Sequence, residues 1–178
     1  MMTDGASALV ARPVLVYAVV DGTPLLLDLL HPDPLPPTPM PAIIFIMGGA
    51  WMEANRKVNF TPFLAAAGFC TVSIDHRLSH EAIFPAQIHD AKAAVRWLHA
   101  NAAQYHVDPD RVGVWGISSG AHLAALLGTS AGVAELEGAS GSPGYASAVQ
   151  AVVAISPPTD FPRMGRDPAD ASRAGSST

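Results

Sequence analysis

"VWGISSGAHLAALLG", Val114 to Gly128, decides how the chain is read. Val112 to Trp115 is a short apolar run of the kind that forms a buried strand, and "AHLAALLG" from Ala121 is apolar nearly all round, as suits a helix packed inside a fold. Between them stands Gly116-Ile117-Ser118-Ser119-Gly120. A strand that turns at once into a helix forces the residue at the bend into a strained backbone conformation, and glycines two residues to either side relieve the crowding. Ser118 at such a bend stands exposed above the sheet, near the positive end of the helix beginning at Ser119, whose N–H is placed to donate to a developing oxyanion. Ser118 is therefore the candidate nucleophile. The same glycines exclude a dinucleotide-binding turn, since Gly113, Gly116 and Gly120 do not give G-x-G-x-x-G.

Outward from this stretch, Ala42 to Met47, Phe69 to Asp75 and Val149 to Ile155 repeat the pattern of short runs apolar on both faces, which predicts parallel strands covered by helices. Helices are expected between them. One covers about Lys57 to Ala67 and ends at Gly68; another has Pro85 in its first turn and a stripe at Ile88, Ala91, Val95, Leu98 and Ala102. Val14 to Val20 and Leu25 to Leu30, around Asp21-Gly22, read as a hairpin. The prolines of His31 to Pro41 predict a stiff surface connection outside any sheet. Asp108 to Arg111 reads as a turn, Glu135 to Ser147 as a loop, and Ser156 to Thr178 as a polar tail without regular structure. The result is an α/β fold with a mostly parallel sheet. It forms one domain, with residues 1–13 a flexible N-terminus, 14–156 the core and 157–178 an irregular tail.

Composition limits what this domain does. At 178 residues, 49% hydrophobic and 14% charged, the chain is long enough to bury one core. The formal charge of −5, with no Lys/Arg block, argues against nucleic acid or an anionic membrane as partner. No apolar run approaches the ~20 residues of a membrane span and no leader peptide is recognisable, so a cytoplasmic protein is the expectation. Cys70, the single cysteine, lies in the apolar "GFCTVSID", which suits a buried hydrophobe and excludes an intrachain disulfide or a Cys-based zinc site. No histidine spacing suggests a metal, and no cofactor is implied.

A second glycine pair lies at the end of an earlier strand, in "MGGAW", Met47 to Trp51. Two glycines there let backbone amides turn toward a ligand, so Gly48, Gly49 and Ala50 are candidate oxyanion donors beside Ser119. With "SIDHRLS" and "FPAQIHDAKAAVRWLHANAAQYHVDPDRVGVWGISSGAHLAALLG", this stretch resembles the α/β-hydrolase serine esterases of the hormone-sensitive-lipase-like and bacterial acetyl-xylan- or feruloyl-esterase-like type, from about Val14 to Asp160. The resemblance implies an α/β-hydrolase fold and a carboxylester hydrolase with nucleophile Ser118. It also implies an oxyanion hole of Gly48, Gly49 or Ala50 with Ser119, and a small-molecule ester as substrate. Two positions depart from the pattern. Met47 stands where these families usually have a histidine that braces the oxyanion loop, and His76 stands where a tyrosine is usual, which puts a titratable group near the substrate cleft beside Trp51.

A serine hydroxyl needs a base, and the base an orienting carboxylate. After Ser118 the only histidine is His122, one turn along the nucleophile's own helix, where packing is the expected role. Among the histidines before Ser118, His76 and His80, which follow a strand end, are the best alternative bases; Arg77 and Asp90 are expected to pair, and Asp160 is an outlying candidate for the acid. The resemblance places the acid and the histidine later in the fold, beyond Thr178, so the expectation is a fold truncated after about the sixth strand. It also predicts self-association or a covering partner segment at the exposed last strand. The leading function is hydrolysis of short-chain acyl esters through an acyl-enzyme on Ser118. The alternatives are a non-catalytic relative serving as a binding module or as a fragment of a larger esterase, and a peptidase on the same fold.

Overall fold

The computed structural model describes residues 8–164. Six strands form one sheet in the order β1-β2-β4-β3-β5-β6. β1 (Ala8–Val20) and β2 (Thr23–Asp33) are the antiparallel hairpin expected around Asp21-Gly22, where φ is +50° and +79°. β2 runs antiparallel to β4 (Cys70–Ile74). β4, β3 (Met40–Ile46), β5 (Val107–Ile117) and β6 (Ala151–Ile155) are mutually parallel neighbours in that order.

The core follows the apolar runs. In β3, Ala42, Ile44 and Ile46 are wholly buried among Val72, Val114 and the stripe of α2 (Ala86–Ala100), in which Ile88, Ala91, Val95 and Leu98 are also fully buried. Each such Ile or Leu contributes roughly 1.5–3 kcal/mol. The helix α3 (Ser119–Thr129) adds Leu123, Ala124 and Leu127 to the same core. Phe45, also fully buried, packs edge-on against Trp115 and Phe60, and Phe63 of α1 (Pro62–Ala66) reaches Trp115.

Several boundaries differ from those expected, each for a local reason. β1 begins at Ala8, so residues 8–13 belong to the hairpin; residues 1–7 lie outside the described chain. The two ends of the proline-rich segment are strand: Pro32 pairs with Leu9, where β2 has β1 on one side and β4 no longer reaches it on the other. A missing N–H is tolerated at such an open edge. The helix expected over Lys57 to Ala67 is reduced to α1, because Asn55 and Asn59 accept hydrogen bonds from the N–H groups of Lys57 and Thr61 and hold turns there instead. Pro85 caps α2 rather than standing in its first turn. Asp108 to Arg111 is locally a turn, with the Asp110 N–H on Asp108, yet it lies within β5 as a bulge between the Met40–Val107 and Ala42–Val112 pairs.

The expected loop from Glu135 includes a short α4 (Ala134–Glu137), and Glu137 explains its place. The Glu137 carboxylate accepts from buried Lys92 at 2.7 Å, Ser147 at 2.7 Å and the Gly132 N–H at 3.0 Å, while Arg96 donates to its carbonyl at 2.9 Å. Burial pushes the carboxyl pKa up, but these donors outweigh it and hold it below the usual value. In the expected tail, Phe161–Arg163 makes a single 3-10 turn, and residues 165–178 lie outside the described chain.

Candidate active site

Register places the site. Ile46 is opposite both Ile74 and Gly116, so the carboxyl ends of β3, β4 and β5 stop at one level, where parallel sheets bind ligands. At the end of β5 the chain reverses into α3 through Ser118, whose φ of 54° and ψ of −123° lie outside the regions open to ordinary L-residues. Such a conformation costs about 1–3 kcal/mol and persists only where its surroundings fix it.

The flanking glycines are part of that fixing. A Cβ on Gly116 would run into the Gly120 carbonyl, and one on Gly120 into the Ile46 carbonyl. The Ser118 N–H donates to the Ile155 carbonyl of β6 at 2.9 Å, and the Ser118 carbonyl accepts from the His122 N–H at 3.1 Å. Ser118 is exposed while Ser119 beside it is 1% exposed. The bend therefore presents one serine to solvent and turns the next one inward.

Facing the elbow is the loop from Met47 to Glu53. A Cβ on Gly48 would lie 2.9 Å from the Ser118 Cβ, so loop and elbow are in contact. Gly49, Ala50 and Trp51 take φ values of 152°, 53° and 58°, and the Gly49 carbonyl accepts from the Met52 and Glu53 N–H groups at 2.9 and 3.0 Å. The Gly49 N–H donates to the Ser119 hydroxyl at 3.0 Å, and the Trp51 carbonyl accepts from the Ser79 N–H at 2.7 Å.

Just beyond, Arg56 donates from its backbone N–H to Asp75 at 3.0 Å and from Nε to Asp28 at 3.0 Å, which ties the loop to the ends of β2 and β4. Burial lowers the Arg56 pKa, but the two carboxylates more than offset this and leave it raised. Tyr17 donates to the Asp75 carbonyl at 2.7 Å. Arg77 pairs with fully buried Asp90 at 2.7 Å, as the sequence suggested.

Alongside the loop lies a cavity of about 590 Å³, lined by Ala50, Trp51, Met52, Ser79, Phe84, Gln87, His122, Leu123, Leu126 and Phe161. Its volume is that of a small-molecule site. The His122 ring is held edge-on between aromatic rings, 5.4 Å from Trp51 and 5.0 Å from Phe161. Its Nδ1 is buried without a hydrogen-bond partner among the described residues, and burial lowers its pKa, so the imidazole is neutral at pH 7. It is a wall of the cavity.

Among the described residues no hydrogen bond joins the Ser118 side chain to an imidazole or a carboxylate. Of the two residues expected at the cleft, Trp51 lines the cavity and His76 does not. His76 is 4% exposed and its Nδ1 lies 3.0 Å from the Arg77 carbonyl, because the Arg77 N–H and guanidinium both donate to the Asp90 carboxylate and draw this segment onto α2. Asp160 is exposed and pairs with Arg163 at 3.3 Å. Cys70 is buried, its thiol pushed up to about 12 by burial, and thus inert. Among the described residues no group of three His, Cys, Asp or Glu side chains is arranged to hold a metal ion. Among the described residues no helix is long and apolar enough to cross a membrane.

Three features of the site were missed by sequence reasoning: the inward hydroxyl of Ser119, the Arg56 clamp and Phe161. Each is a contact between segments far apart in the chain.

The chain is similar to known esterases in sequence and in fold. A family model described as BD-FAE matches residues 27–177. Esterase LipQ of Mycobacterium tuberculosis is 38% identical over 136 residues, which is 74% of this chain and 31% of that protein. A solved chain described as bifunctional GH43-CE from Bacteroides eggerthii superposes with a TM-score of 0.79 at 39% identity, over 87% of this chain and 24% of that one. Thermogutta terrifontis esterase 2, solved phosphorylated by paraoxon, gives 0.73 at 28% identity, over 89% of this chain and 62% of that one. The chain thus spans about a third or less of the curated relative and of the first of these solved chains. The fold is that of the α/β-hydrolase esterases.

Proposed function

The chain belongs to the BD-FAE family, and from that premise we propose that it carries the nucleophile and oxyanion hole of a serine carboxylester hydrolase acting on short-chain acyl esters. The observation that carries this reading is Ser118 itself, a non-glycine residue held at φ 54° and ψ −123°, exposed at the head of α3. Strain of this kind clusters where the backbone must present a reacting group.

In the proposed reaction the Ser118 Oγ attacks the ester carbonyl while its proton passes to a base. The carbonyl oxygen, now negative, accepts from the Ser119 N–H and from the Gly48 and Ala50 amides, the Gly49 N–H being taken by the Ser119 hydroxyl. Collapse of this intermediate expels the alcohol and leaves an acyl-serine, which water hydrolyses by the same route. The small residues at 48–50 suit a short acyl group, and the apolar cavity beside them takes the rest of the ester. Turnover at an enzymatic rate needs an imidazole on the exposed side of Ser118. Without one, the hole and binding leave roughly a thousand-fold over water.

A fluorophosphonate probe followed by peptide mass spectrometry tests the nucleophile. Adduct on the peptide holding Ser118, lost in Ser118→Ala, is the expected result. A wild-type chain that stays unlabelled under conditions where a complete serine esterase reacts would instead favour the second reading. That reading is a binding module that keeps the fold without an activated serine, and it is suggested by the lack of any imidazole bonded to Ser118 among the described residues.

A further inference from the structure

We infer that Ser119 is a positioning residue for this site: its buried hydroxyl holds the Gly49 N–H and thereby fixes the oxyanion loop against the nucleophile elbow. The inference rests on the esterase reading above for what the loop does, and on geometry alone for what holds it.

The loop needs holding. Gly49, Ala50 and Trp51 all have positive φ, and two of the three are not glycine. Its own hydrogen bonds, from Met52 and Glu53 to the Gly49 carbonyl, close it into a turn without fixing where that turn sits. Of its outward ties, the Trp51 carbonyl to Ser79 N–H bond anchors the far end to the segment after β4. The Arg56 clamp anchors the chain just past the loop to β2 and β4. Neither refers the loop to Ser118.

The one hydrogen bond between the loop and the elbow among the described residues is the 3.0 Å bond from the Gly49 N–H to the Ser119 Oγ. The residue before the glycines gives no substitute, since Met47 offers only a thioether, a weak acceptor.

Ser119 suits the task by its position. It is the first residue of α3 and 1% exposed, so its hydroxyl lies behind the elbow, out of a substrate's reach. The same residue therefore supplies two things. Its backbone N–H is a donor to the oxyanion, and its side chain holds the Gly49 N–H, which lies between the opposing Gly48 and Ala50 donors. Oxyanion stabilisation depends on donors fixed in advance of the reaction, and a single residue here ties both sides of the hole together. An alanine at 119 would keep the backbone donor and release the loop.

The test uses the full chain with three substitution states, wild type, Ser119→Ala and the hydroxyl-retaining Ser119→Thr. Amide hydrogen exchange and the second-order rate of fluorophosphonate labelling of Ser118 are the readouts. In Ser119→Ala the Gly49 amide is expected to exchange about tenfold faster while Ile44 and Val114 in the core strands stay protected. Labelling is expected to slow by about tenfold, with Ser119→Thr recovering both. Unchanged Gly49 exchange overturns the inference. Faster Gly49 exchange with unchanged labelling also overturns it, because the bond would then be structural only. Loss of core protection along with Gly49 would show a global defect, and the positioning role would then stand or fall on Ser119→Thr matching wild type in both readouts. A wild-type Ser118 that never labels sinks the esterase reading, and Gly49 exchange alone then decides whether Ser119 holds the loop.

Discussion

Strands β5 and β6 lie side by side in parallel register, Gly113 opposite Ala151 through Ile117 opposite Ile155, yet they are built to different standards. β5 has a neighbour on each side and buries Val112 and Val114 almost completely. β6 is the edge of the described sheet, and Val152, Val153 and Ile155 are 40, 54 and 44% exposed. The elbow draws on both. Its backbone contacts press inward on Gly120 and Ile46, while the Ser118 N–H depends on the Ile155 carbonyl of the exposed strand. The conformation of Ser118 is thus fixed rigidly from the β3 side and by one hydrogen bond from the β6 side.

Glycine-to-alanine changes at the two ends of α3 separate those sides. Gly120→Ala puts a methyl group into the Ile46 backbone carbonyl, which cannot move without shifting the central strand. The expected loss is about 3 kcal/mol or more, despite the roughly 1 kcal/mol by which alanine favours a helix. At Gly128 the added Cβ would meet only the Val152 side chain, its Cγ2 at 2.5 Å, on the edge strand. If β6 yields as its exposure suggests, the helix gain offsets the displacement, and Gly128→Ala melts within about 0.5 kcal/mol of wild type. Equal losses at both positions in urea unfolding would erase the contrast between the strands, since β6 would then be as firmly fixed as β3.

The same contrast explains what was legible in the sequence. The elbow could be read because its demands are local: Gly116 and Gly120 are where they are since their own carbonyls and strand leave no room for a Cβ. The parallel strands were legible from their apolar runs, which match burial in β3, β4 and the second half of β5; the same pattern in β6 did not foretell a strand exposed along its length. Pro32 inside β2 was not, because whether a proline fits a strand depends on which neighbour is absent beside it. Nor was the hydroxyl of Ser119, whose partner Gly49 is 70 residues away. A buried serine and an exposed one are identical as letters, and only the turn of the helix distinguishes Ser119 from Ser118. Phe161 lay in a segment read as featureless, yet it closes one side of the His122 ring.

His122 gives the smallest expected effect and tests the cavity side of the site. Held between Trp51 and Phe161, it is favoured in its neutral form, and its pKa in the folded chain lies below the ordinary 6.5. The folded state therefore binds this proton less readily than the unfolded state does. By linkage, the stabilisation is fully present above pH 6.5 and is lost as pH falls below that value toward the folded pKa. Because the ring is partly exposed, solvent screens the charge and the loss is expected to be the smallest of these effects. In His122→Phe this part of the acid dependence should vanish, so that wild type loses stability relative to the variant as pH falls below 6.5. Parallel stability–pH curves for the two proteins would mean that the imidazole takes up its proton freely in the fold. The Trp51–His122–Phe161 wall would then be open to water, and the apolar character assigned to that side of the cavity would be wrong.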